Sequence, residues 1–119
     1  MAEHNELGKW GEDIACRFLQ DKGYVIIERD WRSGKRDIDI VAIDRNVYVF
    51  VEVKTRHNKK YGDPVDAVGY SKMQNLRRAI SNYIKYRRLT NEVRLDIVTV
   101  VGRIGDKPEI VHIKGVPII

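Results

Sequence analysis

Asp37-Ile38-Asp39-Ile40-Val41 and, shortly after it, Val49-Phe50-Val51-Glu52-Val53-Lys54 decide how this chain is read. Both are apolar runs of strand length, and both carry charge where Thr or Val would be ordinary. Side chains alternate along a strand, so Asp37, Asp39 and Val41 are expected to point one way, and Glu52 and Lys54 to share a face of the next strand. Two neighbouring strands then aim carboxylates and one ammonium at a single point. Carboxylates that close repel unless positive charge lies between them, and a hard divalent cation with oxygen ligands, Mg2+ or Mn2+, meets that need. The acid-x-Lys spacing by itself is common. A solvated strand face, or an ordinary ion pair between Lys54 and Asp39, accounts for it as well.

Working outward, Arg45-Asn46 reads as a tight turn joining strands over residues 37–44 and 47–56, with an earlier strand over residues 24–28; the three form an antiparallel meander. Upstream, Leu7, Trp10, Ile14, Ala15, Phe18 and Leu19 follow helical spacing, and Lys22-Gly23 is a stop. Downstream the pattern breaks into a polar loop from Arg56 to Pro64. Ser71 then offers an N-cap to a second helix with an apolar face of Met73, Leu76, Ile80, Tyr83 and Ile84. Residues 95–101 are a near-continuous apolar strand of the kind covered on both faces, and residues 109–114 follow the turn Gly105-Asp106-Lys107-Pro108. The order αβββαββ predicts an α/β domain, a mixed sheet flanked by helices.

At 119 residues the chain suits one domain spanning 1–119. Hydrophobic content of 43% and charged content of 33% exclude a disordered or membrane-embedded chain. The opening residues Met1-Ala2-Glu3-His4-Asn5-Glu6 lack the basic and apolar regions of a signal peptide, so a cytoplasmic protein is expected. The single cysteine, Cys16, permits no internal disulfide and reads as a small helix packing residue; His4, His57 and His112 are too scattered for zinc spacing. A formal charge of +5 points to a polyanionic partner, and more strongly so if several acids are sequestered at one site. Solvated lysines on a merely soluble protein are the plainer account.

In this order of elements, Asp39 followed by Glu52-Val53-Lys54 resembles the PD-(D/E)XK nuclease core, the restriction-endonuclease-like fold shared by many restriction enzymes and by archaeal Holliday junction resolvases. More closely, the chain resembles the YraN family of small bacterial proteins. The matching pieces are Gly8-Lys9-Trp10-Gly11-Glu12 with Ala15, Asp37-Ile38-Asp39-Ile40-Val41-Ala42, Val51-Glu52-Val53-Lys54-Thr55-Arg56, Tyr61-Gly62-Asp63-Pro64 with Ala67-Val68, and Lys72. The family usually has Glu where this chain has Asp37, so a direct metal role is not carried to that residue.

The resemblance implies a divalent-metal-dependent endonuclease hydrolysing DNA phosphodiester bonds, with resolvase-like selectivity for DNA structure. Position by position, it implies that Asp39 and Glu52 hold Mg2+ or Mn2+, with the backbone carbonyl of Val53 as a third ligand. Lys54 positions the attacking water or stabilises charge on the phosphate. Glu12, like a glutamate in resolvase-like members of the fold, joins the metal; an ordinary exposed helix acid is the alternative. A homodimer is expected by the same analogy.

Basic residues on either side of the acids are the expected nucleic-acid contacts: Arg32, Lys35 and Arg36 before the acidic strand, Arg56, Lys59 and Lys60 after the catalytic one, and Lys72 near a helix N-terminus. Arg77, Arg78, Lys85, Arg87 and Arg88 read as a solvated helix face, with Asp96 a structural partner for one of these arginines. Gly8 and Gly11, costly inside a helix, read as places of close backbone approach, to the sheet or to a phosphate. Two other classes of function fit the same features. One is a nucleic-acid-binding adaptor that keeps the fold without turnover; the other is a protein-interaction module using Tyr83, Tyr86 and apolar strand surfaces.

Overall fold

The computed structural model describes residues 2–58 and 69–118. The first helix, α1 (Ala2–Asp21), turns its buried Ala15, Cys16 and Leu19 toward the sheet, with Trp10, Ile14 and Phe18 half-buried beside them. It stops where Gly23 takes φ 94°, a conformation that costs only glycine little, and the Gly23 and Tyr24 N–H groups donate to the carbonyls of Gln20 and Leu19. Strands β1 (Val25–Ser33), β2 (Arg36–Asp44) and β3 (Val47–Arg56) follow as an antiparallel meander. The β2–β3 turn is Arg45-Asn46 as expected, both residues at positive φ.

Helix α2 (Tyr70–Arg87) carries the chain across to β4 (Val93–Val101), which lies parallel to β3, and β5 (Glu109–Val116) returns antiparallel. A parallel pair needs such a crossover. The order of elements is αβββαββ, and the five strands lie in sequence order in one mixed sheet. One face packs on α1 through Ile40, Ala42, Val49, Val51, Val98 and Val100, and the other on α2 through Ile38, Val41, Phe50 and Leu95. Six consecutive buried residues in β4, Leu95 to Val100, mark a strand covered on both sides.

Four details depart from the sequence reading. Strand β1 runs on to Ser33, past the expected end at residue 28, so Arg32 to Arg36 form a β1–β2 hairpin around Gly34-Lys35. Helix α2 is capped by the backbone at Gly69 and not by Ser71, which lies inside the first turn. Tyr83 is fully buried, edge-on to Phe50 and Trp31, so only Tyr86 of the two tyrosines is surface. Alternation also fails in β2. Ile38 packs on the α2 side and Ile40 on the α1 side although they are two residues apart, so Asp37, Asp39 and Val41 do not share a face. The cause is a break in the ladder: Arg29 pairs with Ile40 and Trp31 with Ile38, but the intervening Asp30 and Asp39 are unpaired, and Asp30 sits at φ 50°.

Gly11 is where α1 meets the sheet. A Cβ built there would lie 2.6 and 2.8 Å from the methyl and Cβ of Thr55 and closer still to its hydroxyl. Gly11→Ala is therefore expected to destabilise by about 1–3 kcal/mol, as overpacking does, despite alanine's better helix propensity. Urea denaturation checks this; unchanged or increased stability would contradict the contact.

Candidate metal centre

Strands β2 and β3 pair from Asp44/Val47 as far as Ile40/Val51 and then part. In the opening, Asp39 replaces the lost ladder bond with its side chain: the Val53 N–H donates to Asp39 Oδ2 at 2.8 Å. This fixes the carboxylate at the mouth of a cleft of about 250 Å³ lined by Leu7, Gly8, Glu12, Asp39, Val53, Lys54 and Thr55. From the α1 side come Glu12 and, from the broken position in β1, Asp30. One oxygen of each of Glu12, Asp30 and Asp39 lies within 4.8 Å of the others, the one such carboxylate group among the described residues. Ligands opposite one another on Mg2+ stand about 4.2 Å apart, so small side-chain movements close this set on one ion.

Glu52 reaches Asp39 from the α2 side. Its side chain is only 4% exposed. The two carboxyls are close enough for the charge of Asp39 to raise Glu52. Lys72 Nζ stands 3.6 Å from Glu52 Oε2 and 3.8 Å from Asp37 Oδ1. Glu52 Oε1 is buried with no hydrogen-bond partner among the described residues. A buried carboxylate oxygen without a donor carries a cost that a cation would relieve. All-oxygen donors and this orphaned atom fit a hard divalent ion.

The electrostatics match. Burial, then the charge of Asp30, pushes Glu12 up to about 7 against the hydrogen bond from Arg29. Burial, then the charge of Asp39, pushes Glu52 up to about 8 against Lys72. Asp39 is also raised by burial, opposed by the Val53 N–H and by Lys72. Burial alone would lower Lys72, but Glu52, Asp37 and Asp39 outweigh it and raise it. Acids raised in the fold bind protons that the unfolded chain has released, so metal-free stability falls as pH rises from about 5 to about 8. Melting temperature should decline across that window, and Mg2+ should flatten the decline by taking the protons' place. Glu52→Gln should lose most of the slope; a flat metal-free profile in the parent protein would contradict the assignment.

Of the residues expected on one ion, Glu12 and Asp39 come together at the strand opening with the Val53 backbone and Lys54 in the cleft beside them, whereas Glu52 lies outside that cleft, against Asp39 from the α2 side. The ammonium in ion-pair contact with Glu52 is that of Lys72, which sequence had assigned to phosphate instead. Arg32 and Lys35 are exposed on the β1–β2 hairpin. Arg36 and Arg56 are half-buried, each with a buried Nε lacking a partner among the described residues. Lys59 and Lys60 lie outside the described residues, as do Tyr61 to Pro64, Ala67 and Val68.

Asp30 and Arg29 were missed. Arg29 donates to Glu12 Oε1 at 3.1 Å and to Asp13 Oδ1 at 2.7 Å, holding Glu12 over the cleft. Trp31, an apolar residue beyond the expected strand end, was the available signal: extending β1 through it sets Asp30 opposite Asp39. Asp96 pairs with Arg94 and His112 rather than with the α2 arginines.

A model of the uncharacterised protein family UPF0102 matches residues 11–100. The chain belongs to the UPF0102 family. It is 48% identical over 100 residues to a UPF0102 protein of Flavobacterium psychrophilum, covering 84% of each chain. It is 46% identical over 114 residues to one of Bacteroides thetaiotaomicron, covering 96% of this chain and 93% of the relative. A UPF0102 protein of Leifsonia xyli is 40% identical over 117 residues, 98% of this chain and 99% of its own. These UPF0102 proteins match this one over nearly their whole length. Among the described residues no helix is long and apolar enough to cross a membrane.

Proposed function

We propose that this chain is a cytoplasmic, divalent-metal-dependent endonuclease that hydrolyses DNA phosphodiester bonds with selectivity for DNA structure. The observation that carries the reading is the meeting of Glu12, Asp30 and Asp39 where β2 and β3 part, with Lys54 in the same cleft and the buried Glu52 next to Asp39 on the α2 side. The resemblance of Asp39 and Glu52-Val53-Lys54 to the PD-(D/E)XK core supports it. Asp39 would hold Mg2+ or Mn2+ with Glu12 and Asp30 on one side and Glu52 and the Val53 carbonyl on the other. A divalent ion bound there supplies a water ionised near neutral pH and an electrophile for the phosphate oxygens.

The residues do the rest. The Val53 N–H and the Arg29 guanidinium hold Asp39 and Glu12 in place before substrate arrives. Lys54 donates hydrogen bonds to the attacking water or to a phosphate oxygen, where negative charge grows as the bond to the leaving oxygen lengthens. Lys72 balances the Glu52 charge. Arg32, Lys35, Arg36 and Arg56 supply the counter-charge for a nucleic-acid backbone. The test is cleavage of duplex, single-stranded and branched DNA in Mn2+. Activity is expected in the parent protein and not in Asp39→Asn, Glu52→Gln or Lys54→Ala. Salt-sensitive binding without cutting on every substrate would favour the adaptor instead.

A further inference from the structure

The two glycines of α1 near the cleft have different reasons to be glycine, and only one reason lies within the described fold. Gly11 makes room for Thr55, as above. A Cβ at Gly8 meets no atom within 4 Å among the described residues, and Gly8 does not have positive φ. Nor is it at a helix end, since α1 runs from Ala2 to Asp21. Among the described residues, close packing, left-handed backbone and capping, the usual uses of glycine, are therefore all missing at a position where glycine weakens a helix. Yet Gly8 is exposed and lines the cleft, one helical turn before Glu12 and on the same side of the helix.

We infer that Gly8 is a substrate clearance: the bare turn of α1 is where the sugar-phosphate backbone of the bound strand passes next to the carboxylates. This rests on the nuclease reading and adds a contact that reading does not require. Gly8 forms part of the helical wall of the cleft of about 250 Å³ that Asp39 and Glu12 also line. A side chain on the helical wall of so small a cleft takes a sizeable share of that room, and it does so beside the phosphate that must reach Asp39.

The test uses Gly8→Ala and Gly8→Leu in the full chain. Both residues are better helix formers than glycine, so melting temperature should hold or rise by up to about 4 °C. Mn2+ titration should match the parent protein. Affinity for a labelled DNA panel in Ca2+, read by fluorescence anisotropy, should fall at least about fivefold with alanine and further with leucine. Unchanged affinity in both variants, or a lowered melting temperature that reveals a packing role, overturns the inference and leaves the nuclease reading standing. A parent protein that binds Mn2+ but no DNA overturns both.

Discussion

Asp39→Asn is expected to abolish the Mn2+ heat signal in calorimetry and to lower cleavage at least about 10³-fold, in the range seen when a main electrostatic group is removed. Asp39 is the residue common to both carboxylate sets, since Glu12 and Asp30 approach it from one side and Glu52 from the other. Asparagine keeps the size and an oxygen that can accept the Val53 N–H bond, so the strand opening should survive. What disappears is the charge.

That loss has a second consequence with the opposite sign. The Asp39 charge helps to raise Glu52 and Glu12, so without it both return toward the ordinary carboxylate range. The metal-free variant should therefore be more stable than the parent near pH 8, while lacking the rise in melting temperature expected of the parent in Mg2+. Losing metal binding while gaining metal-free stability separates a functional carboxylate from a structural one. Retention of a metal-dependent melting shift in Asp39→Asn would remove Asp39 from the centre of the site.

What sequence could and could not show divides along physical lines. Elements set by local patterning were legible: the α1 stripe from Leu7 to Leu19, the Arg45-Asn46 turn, the third strand, and β4 with both faces covered. The nearness of Asp39 to Glu12, and of Glu52 to Asp39, was legible because strand adjacency and helix spacing constrain it. Asp30 was not, because its place depends on a ladder break that no local propensity encodes. Strict alternation in β2 failed at the same break, between Ile38 and Ile40. The contact of Lys72 with Glu52 was not legible for another reason: it depends on where α2 crosses the sheet, a tertiary fact. The same holds for Asp96, whose partner Arg94 is two residues away on its own strand.

Arg94→Leu is expected to cost about 3–5 kcal/mol, because it strips a buried carboxylate of its main cation. Asp96 is fully buried and accepts two hydrogen bonds from Arg94, at 2.9 and 3.0 Å, with His112 at 2.8 Å and the Gly115 N–H at 3.1 Å. Gly115 can aim its N–H there because β5 shifts register opposite Asp96 and the glycine takes φ 71°. Arg94 also donates to Asp44 and to the Tyr24 hydroxyl, tying β4 to β2 and to the end of α1. Burial would raise Asp96, yet His112, Arg94 and Gly115 together hold it down to about 2. Its contribution is therefore present above the ordinary carboxylate range and is lost as pH falls toward 2. In Arg94→Leu the acid arm of the stability profile should move to higher pH. Adding Asp96→Asn should recover part of the loss, since the uncompensated charge is gone, and urea denaturation of the four members of the cycle measures that coupling. Strictly additive losses would mean that the network is not a unit. Asp96 pairs in register with Val51, immediately before Glu52, so the network anchors the strand that carries the site without touching it. Below its melting temperature, Arg94→Leu should accordingly keep its Mn2+ affinity while losing its stability.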